Sequence, residues 1–349
     1  MQGDLTYVGT QFPDKWLWSQ YETNIIDIIK NNIVSKYAGE KNIFINSTWF
    51  GPQFDNDMYS QLIAGDETYD NLFILASVDP IMLNTQKLDV LCKNLGNPKL
   101  HLIGNFDNSE YEFNFFAPIM LHEFKHYTED ELLPASFKYK YIAYNRKPRE
   151  HRVKLVNALI DGGLDSQGIV TLGKPDICYD NDPANELYLS VGEKAEDYVA
   201  TGHWYKDDEF GIPHDVLSLH NMDYWENHFL HVIGATEFRP WDNVFVSETQ
   251  FKPMIGMRPF IINGNTRTYK WLEDRGFKTF NEYFPYPLTD LHEDDVIPSI
   301  VKTIEWVCNK TESELIDLYT DMLPALVYNK SRVFEFATEE EYKIRNILL

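Results

Sequence analysis

The chain has 349 residues, too many for one comfortable hydrophobic core, so two domains are expected. With 44% hydrophobic residues it is globular rather than disordered, and its 15% aromatic content suits large cores and stacking surfaces. A net charge of -23 repels nucleic acid and anionic membranes at long range, although a local basic patch can still hold an anion. Three widely spaced cysteines, Cys92, Cys178 and Cys308, exclude a disulfide framework and a C-x-x-C zinc site, and they suit a reducing, cytoplasmic setting. The first residues show no basic-then-apolar leader, and no apolar run approaches the length of a membrane span.

In chain order, residues 21–37 carry Ile25, Ile26, Ile28, Ile29, Ile33 and Val34 at helical spacing. Residues 42–46, 71–76 and 99–104 are short apolar runs of the kind buried parallel strands show. Strands separated by helical stretches argue for an α/β layer. Leu133-Pro-Ala-Ser136 punctuates the chain, which places the expected domain boundary there: 1–136, then 137–349.

The second half opens with a βαβ pattern. A strand ends near Tyr144, a helix carries Val153, Val156, Leu159 and Ile160 on one face, and Gly162-Gly163 stops it before a strand at 168–172. Strands are further expected at 229–234, 243–246 and 259–262, a helix at 266–275, and a helical tail over 297–328. Ser247 and Gln250 have the spacing of a capping box, and Pro253 follows early in that helix.

Two turns carry the candidate chemistry. Asn145-Arg146-Lys147-Pro148-Arg149-Glu150-His151-Arg152 loads a strand's carboxyl end with cations. Open α/β sheets bind ligands at that end, and arginine forks match phosphate. Cations are unfavourable at a helix start unless an anion is present, although a solvated helix start has the same residues. The second turn, Ser247-Glu248-Thr249-Gln250-Phe251-Lys252, places a carboxylate suited to ribose hydroxyls and, one turn on, a lysine suited to phosphate. An ordinary capped helix with an i,i+4 ion pair fits the same residues. Glu237 follows another strand and could contact a sugar, or be a loop acid.

His122-Glu-Phe-Lys-His126 matches the zinc-peptidase pattern H-E-x-x-H, but Lys125 sits inside it and no third ligand follows at a usual distance. Asp55-Asn-Asp57 follows no convincing strand end. There is no G-x-G-x-x-G, P-loop or G-x-S-x-G.

From about Lys138 to Phe334 the chain resembles a group of glycosyltransferase-like proteins from viruses and bacteria. The resemblance lies in the order and spacing of residues 144–152, Ala235-Thr-Glu-Phe238, Val246-Ser-Glu248 with Phe251-Lys-Pro253, Pro259-Phe-Ile-Ile-Asn-Gly264 and Gly276-Phe-Lys-Thr-Phe280. More distantly it is similar to the alpha-1,3-fucosyltransferase family. These resemblances imply a GT-B fold, with two Rossmann-like domains, an N-terminal acceptor domain and a C-terminal donor domain. They imply transfer from a UDP- or GDP-type nucleotide sugar to a hydroxyl of a glycan, a protein or a modified base, inverting and without bound metal or cofactor. Asn145 and Arg152 would then face the diphosphate and Glu248 the ribose, with Arg146, Glu237, Ser247 and Lys252 completing the donor site. Thr249 stands where both groups usually have Lys.

An inverting transfer needs a base in the first domain. The strand-end acids Asp79, Asp107 and Glu110 are the candidates. The rival readings are an epimerase or phosphorylase using the same cleft, and a viral protein that binds glycans without turnover. A viral chain would work in the host cytoplasm.

Overall fold

The computed structural model describes residues 5–9, 17–46, 67–76, 85–104, 110–145, 148–172, 196–197, 219, 222–236, 238 and 244–349. They form a mixed α/β protein with two parallel sheets and two compact units, Met1–Ile119 with Ala337–Leu349, and Met120–Phe336.

The first sheet contains β1 (Leu5–Val8), β2 (Asn42–Asn46), β3 (Asn71–Ala76) and β4 (Lys99–Gly104), all parallel and in that spatial order. Helix α1 (Leu17–Lys36) joins β1 to β2, and α2 (Thr85–Asn94) precedes β4. Alternation along β2 and β3 feeds both faces. Ile43, Ile45, Leu72 and Ile74 pack with Leu91 and Leu95 of the α2 region. The alternate residues Phe44 and Phe73 are equally buried, and Tyr37, just past α1, sets its ring edge on Phe73. Ile25, Ile26, Ile29 and Ile33 form the buried face of α1, as their spacing predicts. Each such side chain, fully buried, contributes about 1.5–3 kcal/mol.

After α3 (Phe116–Phe124) and the short α4 (Glu129–Leu132), the second sheet begins. Its strands are β5 (Tyr139–Tyr144), β6 (Ile169–Leu172), β7 (Glu196–Asp197), β8 (His228–Gly234) and β9 (Phe260–Asn263). All are parallel, in the order β7-β6-β5-β8-β9. Every residue of β6, β8 and β9 is buried, the continuous pattern of strands covered on both faces. Helix α5 (Glu150–Asp161) links β5 to β6, and α6 (Met222–Trp225) leads into β8. Helix α7 (Glu248–Ile255) links β8 to β9. The chain leaves β5 one way and later returns past it to β8 and β9. Right-handed crossovers run in opposite directions place α5 and α7 on opposite faces. Helices α8 (Arg267–Asp274), α9 (Glu293–Cys308) and α10 (Glu312–Arg345) follow.

Three expectations change. The units divide at Ile119 rather than at residue 136, and residues 337–349 join the first unit instead of the second. Main-chain oxygens bind residues 120–136 to the second unit: Arg258 donates to Leu132 O (2.8 Å) and Lys330 to Tyr127 O (2.8 Å). The chain's end is held by Asn32, which donates to Ile347 O (2.7 Å), and by buried Glu340, which accepts from the Asn114 amide. Residues 244–246 form no strand. They are apolar enough, and Phe245 and Val246 are buried, but β8 already has β5 and β9 on its two edges. The helical tail is two helices, because Asn309 caps the end of α9 and Thr311, exchanging hydrogen bonds with Glu314, starts α10.

A buried knot anchors the second unit. The Trp225 indole donates to Gly256 O (3.0 Å), and a Cβ on Gly256 would stand 2.1 Å from the ring. Fully buried Arg258 donates to the carbonyls of Trp225, Leu132, Gly256 and Met257, and Tyr319 OH also donates to Met257 O. Burial lowers the Arg258 pKa to about 10, against an upward pull from Tyr319.

Candidate functional site

Strand order reverses between β5 and β8, so their carboxyl ends diverge into helices on opposite faces. Such a switch point is where an open parallel sheet leaves a crevice.

Asn145 ends β5 and is buried. Its Nδ2 donates to Ala143 O and Thr171 O, both at 3.2 Å, which ties the end of β5 to β6. A Cβ on Gly234 would stand 2.6 Å from Asn145 Oδ1 and 3.3 Å from Arg152 Nε. Glycine at the end of β8 therefore lets these two side chains pass.

The first turn of α5 grips the loop after β8. Arg149, its N-cap, donates to Thr236 O. His151 Nε2 donates to Ala235 O (2.9 Å), and Arg152 Nη2 donates to Gly234 O (2.7 Å) and Ala235 O (2.9 Å). Asn263 at the end of β9 donates to His151 O (3.1 Å), which brings the third strand into the same set. Burial, with Arg152 adjacent, pushes the His151 pKa down to about 3, so the ring is neutral and donates through Nε2. Phe238 stacks on it. Carbonyl oxygens thus take up the cations that a helix start disfavours. Arg152 is only 6% exposed, and the structure places its fork on the main chain of β8 rather than on an open phosphate surface.

On the other side of the switch point, Ser247 caps α7 and the expected capping box with Gln250 is formed. This sets Glu248 in the first helical turn, partly exposed, with no hydrogen bond or ion pair among the described residues. Lys252 forms no ion pair with Glu248. It is 4% exposed and close enough to His231 of β8 for its charge to matter. Burial first, then Lys252 and Arg258, push the His231 pKa down to about 3. The spacing suits Lys252 to a phosphate, but the lysine is buried. Pro253 sits inside α7 without ending it.

Arg146, Glu237, Asp79 and Asp107 lie outside the described residues, as does Asp55-Asn-Asp57. Glu110 is described and lies in the first unit. It accepts a hydrogen bond from His101 Nδ1 (2.9 Å). Desolvation pulls its pKa up, but the hydrogen bond and charge of His101 outweigh it and hold the carboxyl below the usual range. Lys99, at the amino end of β4, adds to that effect. A strong general base needs a raised pKa instead. Helix α3 stops at Phe124, inside the H-E-x-x-H segment, and His126 lies beyond it with its ring against Tyr127. One helix face therefore does not carry both histidines.

Sequence reading gave no role to His231, Arg258 or Asn263, although Asn263 stands in the 259–264 segment, because each acts on residues brought close only by the fold. No protein-family model and no curated protein matches the chain.

Proposed function

We propose that this chain is a nucleotide-sugar glycosyltransferase of the two-domain GT-B type, with the donor at the carboxyl edge of β5 and β8. One observation carries the reading: the order reversal between β5 and β8 puts the starts of α5 and α7 at one switch point, with Glu248 in the first turn of α7 unengaged among the described residues. Helix starts present unpaired amides to phosphate, and a carboxylate beside them suits the two ribose hydroxyls.

In this reading Arg149, His151 and Arg152 are positioning residues. They fix the carbonyls of Gly234, Ala235 and Thr236 and so shape the floor under the diphosphate. The acceptor oxygen attacks the sugar's anomeric carbon as the bond to the nucleoside diphosphate breaks, and the acceptor proton passes to a general base. Amides at the helix starts stabilise the charge growing on the leaving diphosphate. The donor is of UDP or GDP type, and the acceptor is a glycan or another hydroxyl compound. The reducing, cytoplasmic setting rests on cysteine usage.

One observation favours a second reading, glycan binding without turnover. Two of the expected phosphate cations, Arg152 and Lys252, are buried, and Thr249 supplies none.

Thermal melting of the full chain against UDP, GDP, CMP, dTDP and ADP separates the two, because a ligand that binds only the folded state raises Tm. One nucleoside diphosphate is expected to raise it. A rise with oligosaccharides and with no nucleotide would favour the second reading.

A further inference from the structure

The side chain of His101 on β4 is fully buried, yet both its ring nitrogens face oxygen. Nδ1 lies 2.9 Å from Glu110 Oε2 and Nε2 lies 3.3 Å from Asn71 Oδ1. Which atom each amide presents follows from a chain of donors. Asn42 Nδ2 donates to two main-chain carbonyls, Tyr37 O (3.2 Å) and Glu40 O (2.9 Å), which fixes that amide. Its Oδ1 must then accept, and it does so from Asn71 Nδ2 (2.9 Å). Asn71 Nδ2 also donates to Glu40 Oε2 (2.6 Å). Its remaining atom, Oδ1, is therefore the one turned to His101. An acceptor oxygen at Nε2 and a carboxylate at Nδ1 both call for N–H.

We propose that His101 is held in the folded chain as an imidazolium, and that its ion pair with Glu110 is a proton-dependent latch fastening the Glu110–Tyr111 segment to the edge of β4. The latch has a mechanical counterpart. Tyr111 pairs with Ile103, and the Gly104 amide donates to Tyr111 O (2.8 Å). Phe73 stacks on the ring at 4.6 Å and Tyr37 meets it edge-on, so aromatic rings pack on it while both nitrogens face oxygen. The groups around it, element by element, are Tyr37 and Glu40 after α1, Asn42 on β2, Asn71 and Phe73 on β3, Lys99 on β4, and Glu110 with Tyr111. Among these described residues, two carboxylates, Glu40 and Glu110, stand against one lysine, Lys99. The Glu110 side chain is 49% exposed, so its end of the pair is open to the solvent's protons.

Acid opens the latch from the carboxylate side. Glu110 has a lowered pKa, so its contribution is present above the usual carboxylate range and is lost as pH falls below it.

The test is nitrogen-15 NMR of the full chain labelled at its ten histidines, with the His101 signals assigned by their loss in His101→Gln. At pH 7.5 a free imidazole of pKa about 6.5 is roughly nine-tenths neutral. His101 is expected to show two protonated ring nitrogens at that pH, and Glu110→Gln is expected to return it to one. Protection of the Gly104 amide from hydrogen exchange is expected to fall about tenfold in Glu110→Gln, since a charge-assisted hydrogen bond is lost. A bare ring nitrogen in the wild type at pH 7.5 would overturn the imidazolium. Two protonated nitrogens in Glu110→Gln, or unchanged Gly104 protection, would overturn the latch.

Discussion

The hydrogen-bonded networks of Asn71 and of Asn145 lie at opposite ends of their two parallel sheets. In the first, Asn42, Asn71 and His101 lie toward the amino ends of β2, β3 and β4, and the strands follow one another without reversal. In the second, Asn145, Ser247 and Asn263 lie at or beyond carboxyl ends, where the strand order turns back on itself. The first network satisfies itself and locks an edge. The second spends its donors on main-chain carbonyls around the switch point and leaves Glu248 without a partner among the described residues. The contrast teaches that one network closes on its own side chains while the other is tied to the main chain around the reversal in strand order.

Acid should separate the two units most strongly. His151 and His231 have pKa values lowered to about 3, so their contribution is full above the unfolded value and is lost as pH falls. With an unfolded pKa of about 6.5, each costs the second unit at most roughly 3 kcal/mol by pH 4. In the first unit, Glu110 stays ionised below the usual carboxylate range, so its latch persists over that interval. Hydrogen exchange across a pH series is expected to show β8 and β9 losing protection before β4. Loss in the reverse order would break the comparison.

Gly256→Ala should cost the second unit about 3 kcal/mol, since its Cβ would enter the Trp225 ring. Urea unfolding reads this, and a change under about 0.5 kcal/mol would show that the knot has slack. Arg152→Met should follow at about 2 kcal/mol, because it strips donors from the Gly234 and Ala235 carbonyls. Arg152→Lys should restore little, as an ammonium lacks the fork that spans both oxygens. Were Arg152 a phosphate ligand alone, stability would be untouched and only nucleotide affinity would fall. Ser247→Ala should cost about 1 kcal/mol through the lost cap.

Much of this fold is legible in the chain. The runs at 42–46, 71–76 and 99–104 are strands because continuous apolar runs suit a sheet buried on both faces. Ser247 and Gln250 cap α7 because that interaction spans three residues. What stayed hidden depends on distant partners. Residues 244–246 look like a strand, and only the occupied edges of β8 forbid it. Arg152 looks like a phosphate ligand until the carbonyls of Gly234 and Ala235 arrive beside it. The break between α9 and α10 was legible, since Thr311-Glu-Ser-Glu314 has capping-box spacing. The latch at His101 rests on two strands and a loop, and no single segment shows it.

Isothermal titration of UDP and GDP into the wild-type chain and Glu248→Ala tests the central claim most directly. Glu248 has no partner to lose among the described residues, so the variant should melt within about 0.5 kcal/mol of the wild type. One nucleoside diphosphate should bind the wild type and bind the variant at least about tenfold more weakly, the loss of hydrogen bonds to a charged group. Equal binding by both chains, or none by the wild type at millimolar nucleotide, would contradict a donor site at this edge.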